Sequence, residues 1–125
     1  MNKWIRIGML YFVLGIGIGI YIGINQLFHF KSFHAHINLL GWVSMGIIGI
    51  IYASFPKLNT FKTSPIIFWI YQVSVLLFLT GHILVSTPNA TIPALPFLII
   101  GGNGIFISIV LLAINLHKIP LAKKT

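Results

Sequence analysis

Four long apolar runs take up most of this chain of 125 residues, at about 4–28, 33–55, 65–85 and 92–116. A membrane's hydrocarbon core, about 30 Å thick, takes about 20 helical residues to cross. Within it every backbone N–H and C=O must be satisfied by the protein itself, which leaves helices and closed barrels as the options. The alternation of polar and apolar positions that a barrel strand shows is absent here. The runs therefore read as four transmembrane helices of one all-α integral membrane four-helix bundle. A mean hydropathy of +1.02 agrees, as does a charged content of 6% where soluble domains carry about 25%.

The charges comprise eight Lys or Arg and no Asp or Glu, a formal +8. They lie between the apolar runs rather than along an amphipathic surface. They read as topogenic charges that meet anionic membrane lipid, not as a nucleic-acid footprint. Lys3 and Arg6 precede the first helix, Lys57 and Lys62 separate the second from the third, and Lys118, Lys123 and Lys124 follow the fourth. Lys31 alone lies on the other side. The positive-inside rule then puts both termini in the cytoplasm of a multi-pass protein of the cell membrane. The first run is too long for a signal peptide and no small-residue cleavage site follows it, so it reads as a retained signal anchor.

The missing residue types exclude chemistry. Without carboxylates there is no Asp/His relay, no carboxylate general base and no acidic calcium or magnesium site. Zero cysteines exclude disulfides, thiolate metal sites, iron–sulfur clusters and covalent c-type haem. Imidazole remains as the main ligand. His29 closes the first run, His34 and His36 open the second, and His82 lies in the last turn of the third, all in the outer half of the membrane. His117 stands apart beside Lys118, where a helix C-terminus favours it. An ionisable group inside a membrane is a functional hypothesis by default. His34 and His36, two residues apart on a helix, point about 200° from one another and so serve different neighbours. Asn38 lies one turn below His34 and Trp42 a further turn down; they either orient a ring or simply pack between helices.

Small residues recur at helical spacing: Gly15, Gly19 and Gly23 with Gly17 between them, then Gly41, Gly46 and Gly49, then Gly101, Gly102, Gly104 and Ser108. Such stripes let another backbone approach closely. Packing between helices is the first reading and a porphyrin-facing role the second. The stripe of the first helix is the expected interface of a homo-oligomer, with a bulky residue at Gly19 expected to weaken assembly. Pro88, Pro93 and Pro96 break the chain before the fourth helix.

His34-Ala35-His36-Ile37-Asn38-Leu39-Leu40-Gly41-Trp42, running through Gly49 to Tyr52-Ala53-Ser54-Phe55-Pro56, resembles the His-x-His helix of haem-copper oxidase subunit I, the superfamily of cytochrome oxidases and nitric-oxide reductases. Phe68-Trp69 and Gly81-His82 are similar to parts of the helix that follows it. The resemblance covers about half the chain. It implies that His34 ligates a high-spin haem and His36 a low-spin haem. The departures are large: the three-histidine copper site, the family's other axial histidine and the arginines that meet haem propionates have no counterpart. Lys31 is the one outer cation left for that last task. An oxidase complete in itself is therefore not expected.

Three readings follow. The first is a cytochrome b-like protein that holds haem b iron through His34 or His36 with His82 as the opposite ligand. It would carry electrons from a respiratory-chain donor if six-coordinate, or bind O2, NO or CO if one side of the iron is open. The second is an outer-face Cu or Zn protein without porphyrin, since imidazole suits both metals. The third is a structural membrane subunit whose histidines hold no cofactor.

Overall fold

The computed structural model describes residues 2–120. Among them helices are the only regular secondary structure, with no strand. Four helices are long and apolar enough to cross a membrane: α1 Lys3–Ile24, α2 Phe28–Ser54, α3 Ser64–Ser86 and α4 Leu95–His117. Their starts and stops have local causes. Asn2 caps α1, its Oδ1 accepting from the Ile5 N–H at 3.2 Å, and its Nδ2 donates to the Gly49 carbonyl of α2 at 2.7 Å. Pro65 and Pro96 occupy the first turns of α3 and α4, where the missing N–H costs no bond.

Two boundaries differ from the sequence expectation. α1 stops at Ile24 rather than near Phe28, because the Asn25 amide turns back to the Tyr21 carbonyl and Gln26 adopts a left-handed φ of 53°. The chain re-enters a helix at once through a 3₁₀ turn, Phe28–Phe30. His29 therefore opens α2 instead of closing α1, and it is exposed. α4 begins at Leu95, three residues after Ile92, once Pro93 has been passed.

The helices pack in chain order, α1 on α2, α2 on α3 and α3 on α4. α2 and α3 are thus central and α1 and α4 flank them. The end that carries Lys3, Lys57 and Lys62 holds the tightest core. Trp4 of α1 stacks on Tyr52 at 5.9 Å and meets the edges of Phe68 at 5.0 Å and Tyr71 at 5.4 Å. Around them Met45, Leu58, Ile67 and Val75 are buried. Lys3 Nζ lies 4.0 Å above the Phe68 ring, a cation–π contact. Asn115 of α4 donates to Thr63 Oγ1 at 2.7 Å, tying the fourth helix to the same end.

α3 and α4 form the most extensive pair. A Cβ at Gly101 would lie 2.6 Å from the Phe78 nitrogen and 2.7 Å from the Ser74 carbonyl oxygen, so backbone rides on backbone there. Gly81 against Leu98 and Gly104 against Ser74 extend that contact along both helices.

α2 is not uniform. Its residues Ile37–Val43 form a π-helical segment between α-helical stretches, with the Ser44 N–H bonded to the Leu39 carbonyl five residues back. Where a helix returns from five-residue to four-residue spacing, one carbonyl is passed over and must find another donor. Leu40, next after Leu39, meets the Tyr71 hydroxyl at 2.9 Å. Tyr71 is fully buried. Tyr71→Phe removes that donor, so a loss of about 1 kcal/mol is expected, read as a lower unfolding midpoint in detergent with the helix content of the folded state retained.

Candidate functional site

Four of the five histidines, His29, His34, His36 and His82, gather at the end opposite the aromatic core, where α2 starts and α3 stops; His117 closes α4 at the other end. The phase of α2 separates its two motif histidines. His34 faces α1 and His36 faces α3, as the 200° rule requires.

On the α1 side, a Cβ at Gly19 would lie 2.5 Å from His34 Cε1 and one at Gly15 would lie 2.5 Å from Asn38 Oδ1. Asn38 Nδ2 donates to the His34 carbonyl at 3.0 Å and stands 3.4 Å from His34 Nδ1. One turn further, Trp42 stacks on Phe12 with centroids 4.7 Å apart. His34, Asn38 and Trp42 thus share one face, pressed against the glycines of α1. Of the glycine stripe expected to face another copy, Gly15 and Gly19 are filled by the chain's own α2, while Gly17 and Gly23 are open.

On the α3 side, the rings of His36 and His82 stack with centroids 4.1 Å apart and planes 20° from parallel. The Phe78 ring meets His36 at 5.5 Å and His82 at 4.8 Å, both times at a steep angle. Ser32 ties the pair together. Its carbonyl oxygen is 2.8 Å from His36 Nδ1; a carbonyl only accepts, so that nitrogen carries the proton and the lone pair of the neutral ring is on Nε2. The Ser32 hydroxyl is 3.2 Å from His82 Nδ1 and 3.5 Å from His36 Nδ1. His82 Nε2 is buried without any hydrogen-bond partner, alone in this among the described side-chain nitrogens and oxygens. A buried polar atom left unmatched costs about 1–3 kcal/mol, and such an exception calls for a ligand or a role.

His36 and His82 are therefore together, and His34 is apart from them. Among the described residues no three His, Cys, Asp or Glu side chains form a metal-holding group. Lys31, the first residue after the 3₁₀ turn, is exposed at this same end. Ser32 and Phe78 are site residues that the sequence reading passed over. Their signal was spacing: each precedes a histidine by four residues, one helical turn, as neighbours on a helix face do.

The arrangement tests the proposed cofactor. The donor chemistry fits haem: an imidazole whose Nδ1–H is held by a carbonyl, leaving Nε2 to the metal, is the usual outer-shell pattern of a ligating histidine. The expected sandwich does not fit as the rings stand, because stacking at 4.1 Å leaves no gap for a porphyrin between His36 and His82. No protein-family model matches the chain, and neither a curated protein nor a solved structure does.

Proposed function

We propose that this chain is a multi-pass membrane protein of the cytochrome b kind, holding haem b at the His36/His82 end of α2 and α3. The observation that carries the reading is the buried, unmatched Nε2 of His82 beside a His36 ring oriented by Ser32. His36 has its Nδ1–H on the Ser32 carbonyl, so its ligand position is Nε2; His82 Nε2 becomes a ligand position when the Ser32 hydroxyl accepts from His82 Nδ1. When bound, haem b supplies a one-electron iron centre, or an iron that takes O2, NO or CO. The stacked pair favours ligation by one of the two rings with the other lying alongside, and hence an open side on the iron. Ligation by both histidines, the arrangement suited to electron transfer from a respiratory-chain donor, would need the two rings to part. Lys31 offers the one outer cation for the propionates, and the resemblance to haem-copper oxidase subunit I adds His34 as the alternative ligand.

The membrane setting rests on the four spans and on the charges. Lys3, Arg6, Lys57, Lys62 and Lys118 belong to helix ends that meet at one end of the molecule, with Lys31 at the other. The positive-inside rule then sets the histidines toward the outer leaflet and both termini in the cytoplasm. Lys123 and Lys124, which belong to the same argument, lie outside the described residues.

An absorption spectrum of the detergent-purified protein, oxidised and dithionite-reduced, with and without CO, tests the proposal. A Soret band that CO shifts is the expected result, reporting an open iron. Sharp reduced bands indifferent to CO report two ligands and a parted His36/His82 pair. A folded protein that stays colourless after addition of haemin overturns the haem reading. The side-by-side imidazoles then favour a small Cu or Zn ion bound from one direction, which elemental analysis of the same sample detects.

A further inference from the structure

One face of the molecule carries a polar group that its own fold leaves open to lipid. Between α3 and α4 runs an elongated groove of about 680 Å³, remote from the histidines. Trp69, Val73 and Leu77 line one wall at successive four-residue steps, and Ile100, Asn103 and Ile107 line the other. Each wall therefore runs about two helical turns, the shape that receives the ridge of another helix. Asn103 stands near the middle of α4 and is exposed. Its Nδ2 donates to the Ile99 carbonyl at 2.8 Å, which leaves one N–H and the Oδ1 acceptor free. In hydrocarbon such an amide is costly unless paired, and Asn is among the residues that join membrane helices by hydrogen bonds.

We infer that this groove is the contact face for a second copy of the chain, with the Asn103 amides of the two copies pairing across a two-fold axis. Self-complementarity chooses a second copy over other occupants: copies inserted with the same orientation place Asn103 at the same depth, and an amide is its own complement, giving one N–H and taking one. The free face of α1 presents Gly17 and Gly23, but that helix holds no Asn or Gln to pair in the same way. The floor of the groove is already closed by Gly104 against Ser74, so a partner helix rests on the pair without prising it apart. The inference is independent of the haem reading.

The chain has no cysteine, so single-cysteine variants report contacts cleanly. Ile100→Cys and Ile107→Cys, each made in the full chain and oxidised in lipid vesicles, are expected to give a covalent dimer, while Ile16→Cys on the exposed face of α1 is not. Adding Asn103→Leu is expected to weaken association about tenfold, the scale of the two interhelical hydrogen bonds it removes at about 0.6 kcal/mol each, and Asn103→Gln to restore most of it. Asn103 is exposed, so these replacements leave the core alone; the thermal midpoint of the monomeric fraction checks this. Cross-linking that is as strong on α1 as on α4, or that Asn103→Leu leaves unchanged, overturns the proposal. So does a detergent-corrected mass of one chain at every protein-to-lipid ratio.

Discussion

Alanine at His36 is expected to abolish the haem absorbance proposed for this protein, and alanine at His82 to abolish it or to lower it several-fold. His36→Ala removes the ring whose Nδ1–H is anchored on the Ser32 carbonyl, and with it the stacking surface of His82 at 4.1 Å. His82→Ala removes the unmatched Nε2 itself. Both rings are half-buried and lie far from the aromatic core, so neither change should unfold the protein. If the orphaned nitrogen is unpaid strain in the cofactor-free chain, His82→Ala even stabilises that form, by a fraction of the 1–3 kcal/mol typical of such atoms. His34→Ala discriminates the two sides of α2. A spectrum unchanged in His34→Ala but lost in His36→Ala assigns the iron to the α3 side; the reverse result gives it to the ring held by Asn38 and refutes the site proposed here. Pulse titration with haemin, read at the Soret maximum and paired with circular dichroism for fold, makes the comparison.

The second large effect is expected at Gly101. A methyl group there meets the Phe78 nitrogen at 2.6 Å, the Ser74 carbonyl oxygen at 2.7 Å and the Phe78 Cα at 2.9 Å. All three are backbone atoms of α3, which cannot rotate away as a side chain would. Gly101→Ala must therefore push the two helices apart, at a cost of about 1–3 kcal/mol, and Gly101→Leu should prevent α3 and α4 from pairing. Gly17→Ala is the control. Its Cβ meets nothing within 4 Å, so the gain in helix propensity, at most about 1 kcal/mol, is unopposed. Thermal midpoints in one detergent rank the variants, and equal midpoints for Gly101→Ala and Gly17→Ala would refute the close approach of α3 and α4.

Much of the architecture was legible because membrane spans are written in composition. α3 runs Ser64–Ser86 against an expectation of 65–85, since the Pro65 start and the polar stop at Ser86-Thr87 are both local signals. The end of α1 was overrun: Asn25-Gln26 is a polar pair at which the helix stops and Gln26 turns left-handed, but Leu27 and Phe28 resume the apolar run and masked it. The π-helical segment Ile37–Val43 has no signature in residue types, because it depends on a donor, Tyr71, that sits thirty-one positions away from the carbonyl it serves. Depth and side were also separable matters. Short loops between antiparallel helices brought His34, His36 and His82 to one level and helix periodicity sent His34 and His36 to opposite faces, but neither could tell a stacked pair of rings from a pair held apart. Small residues likewise announced close packing at Gly15 and Gly19 without naming the neighbour, and the neighbour proved to be internal.

The aromatic cluster of Trp4, Tyr52, Phe68 and Tyr71 lies at one end of the molecule and the His36/His82 pair at the other. The packing that holds the helices together and the imidazole pair therefore draw on different residues. Substitutions at one end can be used to vary stability while those at the other vary whatever the imidazoles bind, so the two properties are separable by mutation.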